Sequence, residues 1–132
     1  LTPRFVLQHI GTNVMRGHFH EDIWTASIES HLRSSGENIV LSDCRFPNEL
    51  QSIRNNGGIV WEVRGKNLPE WYDVARRANL GSSEAAKRLK FEYDIHESET
   101  AWIGEPVSAV VLNSGTLEDL KNTVLTTYDS LT

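Results

Sequence analysis

The stretch from Asn38 to Arg64 changes its hydrophobic period twice. Ile39-Val40-Leu41 is a continuous apolar run that closes in Ser42-Asp43, the pattern of a strand covered on both faces. Pro47 and Glu49 then open a short helix through Leu50 and Ile53, and Asn56-Gly57-Gly58 stops it. A second strand, Ile59 to Val63, ends at Arg64. A strand–helix–strand unit of this length predicts a right-handed βαβ crossover, and with it a parallel sheet.

The flanking segments extend that frame. Thr2-Pro3 is a helix start, Thr as N-cap and Pro in the first turn, and Phe5, Val6, Ile10 and Val14 continue it as one stripe weakened at Gly11. Glu21 and Asp22 precede a second helix carrying Ile23, Trp24, Ile28 and Leu32, with Gly36 as its stop. Helices are predicted over 69–79 and 82–90, and a third strand over 107–112. After the turn Asn113-Ser114-Gly115, Thr116 caps a final helix with Leu117, Leu120, Val124, Tyr128 and Leu131 on one face. The order ααβαβ(αα)βα predicts an α/β fold of three layers with a mainly parallel sheet.

Composition narrows the class. The 132 residues, 39% hydrophobic and 23% charged, suit one soluble domain, and a net charge of −5 leaves no broadly basic face for polymeric nucleic acid. No apolar run approaches the roughly 18 residues of a membrane span, and no signal segment is present. The single cysteine, Cys44, excludes an internal disulfide and fits a reducing, cytoplasmic setting. The first residue is Leu1 rather than Met, which raises the expectation of a piece of something longer.

In open α/β sheets ligands bind beyond the carboxyl ends of the strands. The predicted ends carry Ser42-Asp43-Cys44-Arg45, Arg64-Gly65 and Asn113-Ser114-Gly115. Arginine forks match phosphate oxygens, and an aspartate beside them can hold hydrated magnesium. That set suits a phosphorylated, nucleotide-like ligand. A surface pair of Asp43 with Arg45 beside an ordinary turn explains the same residues. His18-Phe19-His20-Glu21-Asp22 reads as a polar helix start rather than a metal cluster. Trp24 is either core or a platform for a base. His96-Glu97-Ser98-Glu99 reads as a helix entry, with His96 also suited to an anion. Cys44 reads as a small filler. The basic segment 76–90 is a solvated helix face or a lid.

Several segments together resemble the tailed-phage deoxynucleoside monophosphate kinases, a branch of the P-loop kinases. They are Thr2-Pro3-Arg4 with Leu7-Gln8-His9-Ile10-Gly11-Thr12, Asp22-Ile23-Trp24, Val40-Leu41-Ser42-Asp43-Cys44-Arg45-Phe46-Pro47-Asn48-Glu49, and Ile53-Arg54-Asn55-Asn56-Gly57-Gly58 leading to Val63-Arg64. His96-Glu97-Ser98-Glu99 and Val111 to Leu120 complete the set. The resemblance implies phosphoryl transfer from ATP to a deoxynucleoside monophosphate, with Mg2+, in a host cytoplasm if the gene is phage or prophage. It implies Asp43 and Arg45 as catalytic residues, with Asp43 also at the metal. Trp24, Glu49, Arg64, His96, Ser98 and Glu99 would bind substrate. Residues 65–98 would form a lid-like insertion in a single domain over 1–132, with Arg76, Arg77 or Arg88 covering the transferring group. Asn113, Ser114 and Gly115 would lie beside the ATP adenine.

One part of the family pattern is missing. No Gly-x-x-x-x-Gly-Lys-Ser/Thr segment occurs in the chain. The expected fold is therefore a nucleotide-kinase α/β fold incomplete at its N-terminus, with an open sheet edge that favours a homodimer or a docked segment. A different class, a non-catalytic nucleotide-binding or partner-binding module, fits the same residues. The base preferred is not fixed by any motif. A coupled assay of this chain with ATP and each deoxynucleoside monophosphate is expected to show little or no turnover; ordinary kinase rates would refute that expectation.

Overall fold

The computed structural model describes residues 2–131, so Leu1 and Thr132, and the reading attached to the first residue, lie outside the described residues. The chain forms two compact units, Leu1–Gly58 with Ile95–Trp102, and Ile59–Asp94 with Ile103–Thr132.

The first unit is helical. Helix α1 spans Pro3–Gln8, and Thr2 caps it as predicted, its hydroxyl accepting the Phe5 N–H at 3.2 Å. The chain then winds on as a π-helix over His9–Phe19. The expected stripe is not buried: Phe5 and Val6 of α1 and Ile10 of the π-helix are exposed, and Thr12 is the buried residue of the π segment. A 3.6-residue stripe loses its face when successive residues advance by a different angle. Helix α2 spans Ile23–Ser34 and α3 spans Pro47–Asn55. The predicted glycine stop after α3 is real. Gly57 has φ +79, and a Cβ on Gly58 would lie 2.6 Å from Ile53 Cγ2. The short helix α6 covers Glu97–Thr100.

The strand expected at Ile39-Val40-Leu41 does not form. Ile39 and Leu41 share the wall of a small cavity of about 220 Å³ with Ser27, Ile28, His31 and Leu32 of α2, while Val40 between them is 92% exposed. The run has the alternation of extended backbone but no strand beside it to take its ladder, and a lone strand leaves its peptide groups to water. The βαβ unit predicted over Asn38–Arg64 therefore does not close.

The second unit holds the sheet. Among the described residues it has two strands, β1 (Trp61–Gly65) and β2 (Ala109–Asn113), paired in parallel with Val63 opposite Val111 and Gly65 opposite Asn113. Both strands sit slightly later than the apolar runs that predicted them. Helices α4 (Trp71–Asn79) and α5 (Ser83–Arg88) follow β1, and α5 winds on as a π-turn over Leu89–Tyr93. Helix α7 spans Leu117–Leu131. The core is Val60, Tyr72, Val74, Ala75, Ala85, Ile103 and Val111, with Ile103 and Val111 fully buried. The apolar face of α7 is not part of it: no residue of that helix is buried, and Leu117, Val124, Tyr128 and Leu131 are all exposed. The molecule is thus a mixed helix–strand protein with a small parallel sheet, rather than the three-stranded sheet expected.

Glu62 anchors β1 to α4. Its oxygens accept Arg64 Nε at 2.7 Å and Arg64 Nη2 at 2.8 Å, and the Tyr72 hydroxyl donates to it as well. Burial pushes the Glu62 carboxyl up, but the hydrogen bonds from Arg64 and Tyr72 and the Arg64 charge outweigh it and hold the pKa below its ordinary value of 4.5. A carboxylate with a depressed folded pKa stabilises the fold above its unfolded pKa, and that stability is lost as pH falls through the folded value. Glu62→Gln is expected to cost about 2–3 kcal/mol, short of a fully buried pair because Arg64 reaches solvent. Wild-type stability is expected to fall below about pH 4.5, and that of the Glu62→Gln variant to fall less steeply there. Urea unfolding at pH 7 and at pH 3.5 measures both.

Candidate functional site

The loop before α3 carries Asp43, Cys44 and Arg45, and its backbone is fixed by one carboxylate. Glu49, 7% exposed, reaches back from the first turn of α3, and its Oε2 accepts the Arg45 N–H at 2.8 Å and the Phe46 N–H at 3.1 Å. Its Oε1 accepts from Arg16 Nη1 at 3.2 Å. Arg16 lies over the Phe46 ring at 3.9 Å and donates from Nη2 to Asn48 Oδ1 at 2.8 Å. Asn48 in turn donates to Asp22 Oδ1 at 2.7 Å. A charge taken out of water is tolerated only when paired and hydrogen-bonded, and Arg16 and Glu49 satisfy one another in that way. Glu49, expected at the substrate, thus acts on the backbone that carries Arg45.

Arg45 points to Glu99. Its Nη1 lies 3.2 Å from Glu99 Oε1, which also accepts from Gln8 Nε2 at 3.2 Å. His96 caps α6: its Nδ1 accepts the Ser98 N–H at 3.2 Å and lies 2.8 Å from the Ser98 hydroxyl. The helix entry is thus capped by His96 itself, and Ser98 is buried. Trp24 is not core. It is 39% exposed, and its indole N–H donates to the Gly11 carbonyl at 3.0 Å. His18 and His20 serve local backbone, His18 Nδ1 lying 2.8 Å from the Asn13 carbonyl and His20 Nδ1 accepting the Asp22 N–H at 3.1 Å.

The remaining expected residues belong to the second unit. Arg64 spends two of its donors on Glu62. Arg77 pairs with Asp73 and Arg88 with Glu92, each four residues away on its own helix. Arg76 has Tyr72 and Leu80 at that spacing and so no such partner. The turn Asn113-Ser114-Gly115 follows β2 into a reciprocal cap. Asp119 Oδ2 accepts the Thr116 N–H at 2.8 Å, and the Thr116 hydroxyl accepts the Asp119 N–H at 3.2 Å. Gly115 is required by that cap, since a Cβ there would meet Asp119 Oδ2 at 2.6 Å. Arg64-Gly65 and Asn113 end their strands side by side as expected, whereas Ser42-Asp43-Cys44-Arg45, expected at a third strand end, follows no strand.

Asp43 is an exposed single carboxylate. Among the described residues no group of three or more His, Cys, Asp or Glu side chains is placed to share a metal ion. Residues that the sequence reading left without a role, Arg4, Gln8, Arg16 and Asn48, complete the polar network. Arg4, Gln8 and Asn48 stand in the segments that carry the family resemblance, and Arg16 stands in none of them.

Comparison with known proteins gives a partial likeness. The chain is 36% identical over 55 residues to the deoxynucleoside-5'-monophosphate kinase of Escherichia phage T5, a stretch that is 41% of this chain and 22% of that kinase. No family model matches the chain, and no solved structure does. The likeness supports a kinase-like relationship. Among the described residues no helix is long and apolar enough to cross a membrane.

Burial first, and then the Glu49 and Asp43 charges, push the Cys44 thiol up to about 11. Only thiolate reacts, so Cys44 is expected to alkylate slowly with iodoacetamide at pH 8 and to speed up as pH approaches 11. Mass spectrometry of the labelled protein over that range tests this; rapid labelling at pH 7 would place the thiol elsewhere.

Proposed function

We propose that this chain is the monophosphate-binding portion of a deoxynucleoside monophosphate kinase, a cytoplasmic enzyme of the P-loop kinase type that moves the γ-phosphoryl group of ATP to a deoxynucleoside monophosphate. The observation that carries the reading is Arg45, held by its backbone on Glu49 with its guanidinium already directed at a carboxylate. A guanidinium held beside one oxyanion suits a phosphate monoester. The 55-residue likeness to a kinase of that substrate class supports it.

In this reading Arg45 binds the acceptor phosphate, and Asp43 orients the waters of a magnesium ion. Trp24 offers the exposed part of its ring to the base. Magnesium-bound ATP supplies the phosphoryl group and neutralises charge when bound; such transfer is mostly positioning and electrostatics. Arg76, Arg77 or Arg88 serves as the lid arginine, and the turn Asn113-Ser114-Gly115 serves the adenine. Arg64, His96, Ser98 and Glu49 act through neighbouring groups rather than on the substrate.

A second reading rests on a different observation. The 132 residues contain no phosphate loop, which favours a module that binds nucleotide without transferring phosphate. Both readings need the same pocket. Isothermal titration with each of the four deoxynucleoside monophosphates is expected to show binding, weakened about tenfold or more by Arg45→Ala, the worth of one charge-assisted hydrogen bond. Deoxynucleosides without phosphate are expected to be indifferent to that change. Unaltered monophosphate affinity in Arg45→Ala would remove Arg45 from the site.

A further inference from the structure

Two side chains of α1 and one from the loop before α3 gather at one oxygen. Glu99 Oε1 lies 3.2 Å from Gln8 Nε2, 3.2 Å from Arg45 Nη1 and 4.0 Å from Arg4 Nη2. Two guanidiniums and one amide around a single carboxylate oxygen are more than an ordinary ion pair needs. They are the donor set that meets a non-bridging phosphate oxygen. On this oxygen two positive charges face one negative charge, in a chain whose net charge is −5. Cation is concentrated here against the trend of the molecule.

The group that now fills the position is able to leave it. The side chains of Arg4, Arg45 and Glu99 are 75%, 44% and 30% exposed, so none of the three is locked by packing. Exposed pairs of this kind hold by less than about 1 kcal/mol, little enough for a ligand to exchange. The arginine that the interior does lock, Arg16, is committed to Glu49 and Asn48 instead. Charge and mobility thus separate two arginine sites within one unit, one structural and one available.

We propose that Arg4, Gln8 and Arg45 form an oxyanion site in which Glu99 is the resident occupant, displaced when the 5'-phosphate of a nucleotide enters. The proposal rests on the nucleotide reading given above and adds two ligands and a built-in competitor to it. Gln8 supplies a neutral donor that fixes where the oxygen sits, and Arg4 supplies the second charge from α1. Observed phosphate affinity is then a difference, the binding of phosphate less the binding of Glu99, and specificity against weaker anions follows from that difference.

Glu99→Gln tests it, because the amide keeps an oxygen for Gln8 and loses the charge. Titration of the chain with the four deoxynucleoside monophosphates and with inorganic phosphate is expected to show affinity about twofold to fivefold tighter in Glu99→Gln than in wild type, the worth of one exposed ion pair. In the Glu99→Gln background, Arg4→Ala and Gln8→Ala are each expected to weaken binding about threefold or more. Arg4 is too exposed for its truncation to unfold the chain, so that arm reads out whatever happens to the others. If wild type binds nucleotide through Arg45 but Glu99→Gln binds no tighter, Glu99 orients Arg45 rather than competing with phosphate, and the displacement is overturned while the nucleotide reading stands. If neither wild type nor Glu99→Gln binds any phosphate, both fall together.

Discussion

The Glu49 carboxylate is the point on which the first unit depends. Leu50 is the one apolar residue buried there among the described residues; the others are Thr12, Thr25, Glu49, Ser52, Ser98 and Thr100. Such an interior is mostly polar, with the Thr25 hydroxyl buried without a hydrogen-bond partner, and its centre is the carboxylate that takes two backbone N–H groups and Arg16 at once. Because an unpaired charge at that depth is strongly unfavourable, the partners are fixed in position as well as in kind. Asp22, Asn48, Arg16 and Phe46 are therefore placed by one requirement, and Arg45 inherits its position from it.

The second unit solves the same problem by other means. Its core is aliphatic and aromatic around Ile103 and Val111, and its buried charge, Glu62, is matched by Arg64 and Tyr72. Its basic helices are close to neutral in effect, since Arg77 and Arg88 each face a carboxylate one turn away. Such exposed pairs contribute little stability but lower the field that a basic segment would otherwise project.

What was legible in the sequence was local. The Thr2 cap, the Pro47–Glu49 helix start, the stop at Gly57-Gly58 and the Thr116 cap each depend on residues within one turn, and each stands. Strands β1 and β2 were recognisable from their apolar runs because each finds the other. Ile39-Val40-Leu41 has the same apolar content and no partner, and pairing is a property of two segments that one segment cannot carry. The site was legible as a set of residue types. Arg45, Glu49, His96, Ser98 and Glu99 do belong to one unit, but which oxygen meets which nitrogen, and that Glu49 serves backbone while Glu99 meets Arg45, follows only from geometry.

The π-helical winding between His9 and Phe19 fixes the phase of Arg16 relative to α1. In an α-helix each residue turns the chain by about 100° and in the wider π winding by less, so returning this segment to α winding at its present length would swing the guanidinium around the axis. Arg16 would then leave Glu49 unpaired in the interior. The length of this segment is thereby constrained as tightly as its composition. An insertion or deletion here would act as a change of electrostatics in the middle of the unit, although no charged residue had been altered.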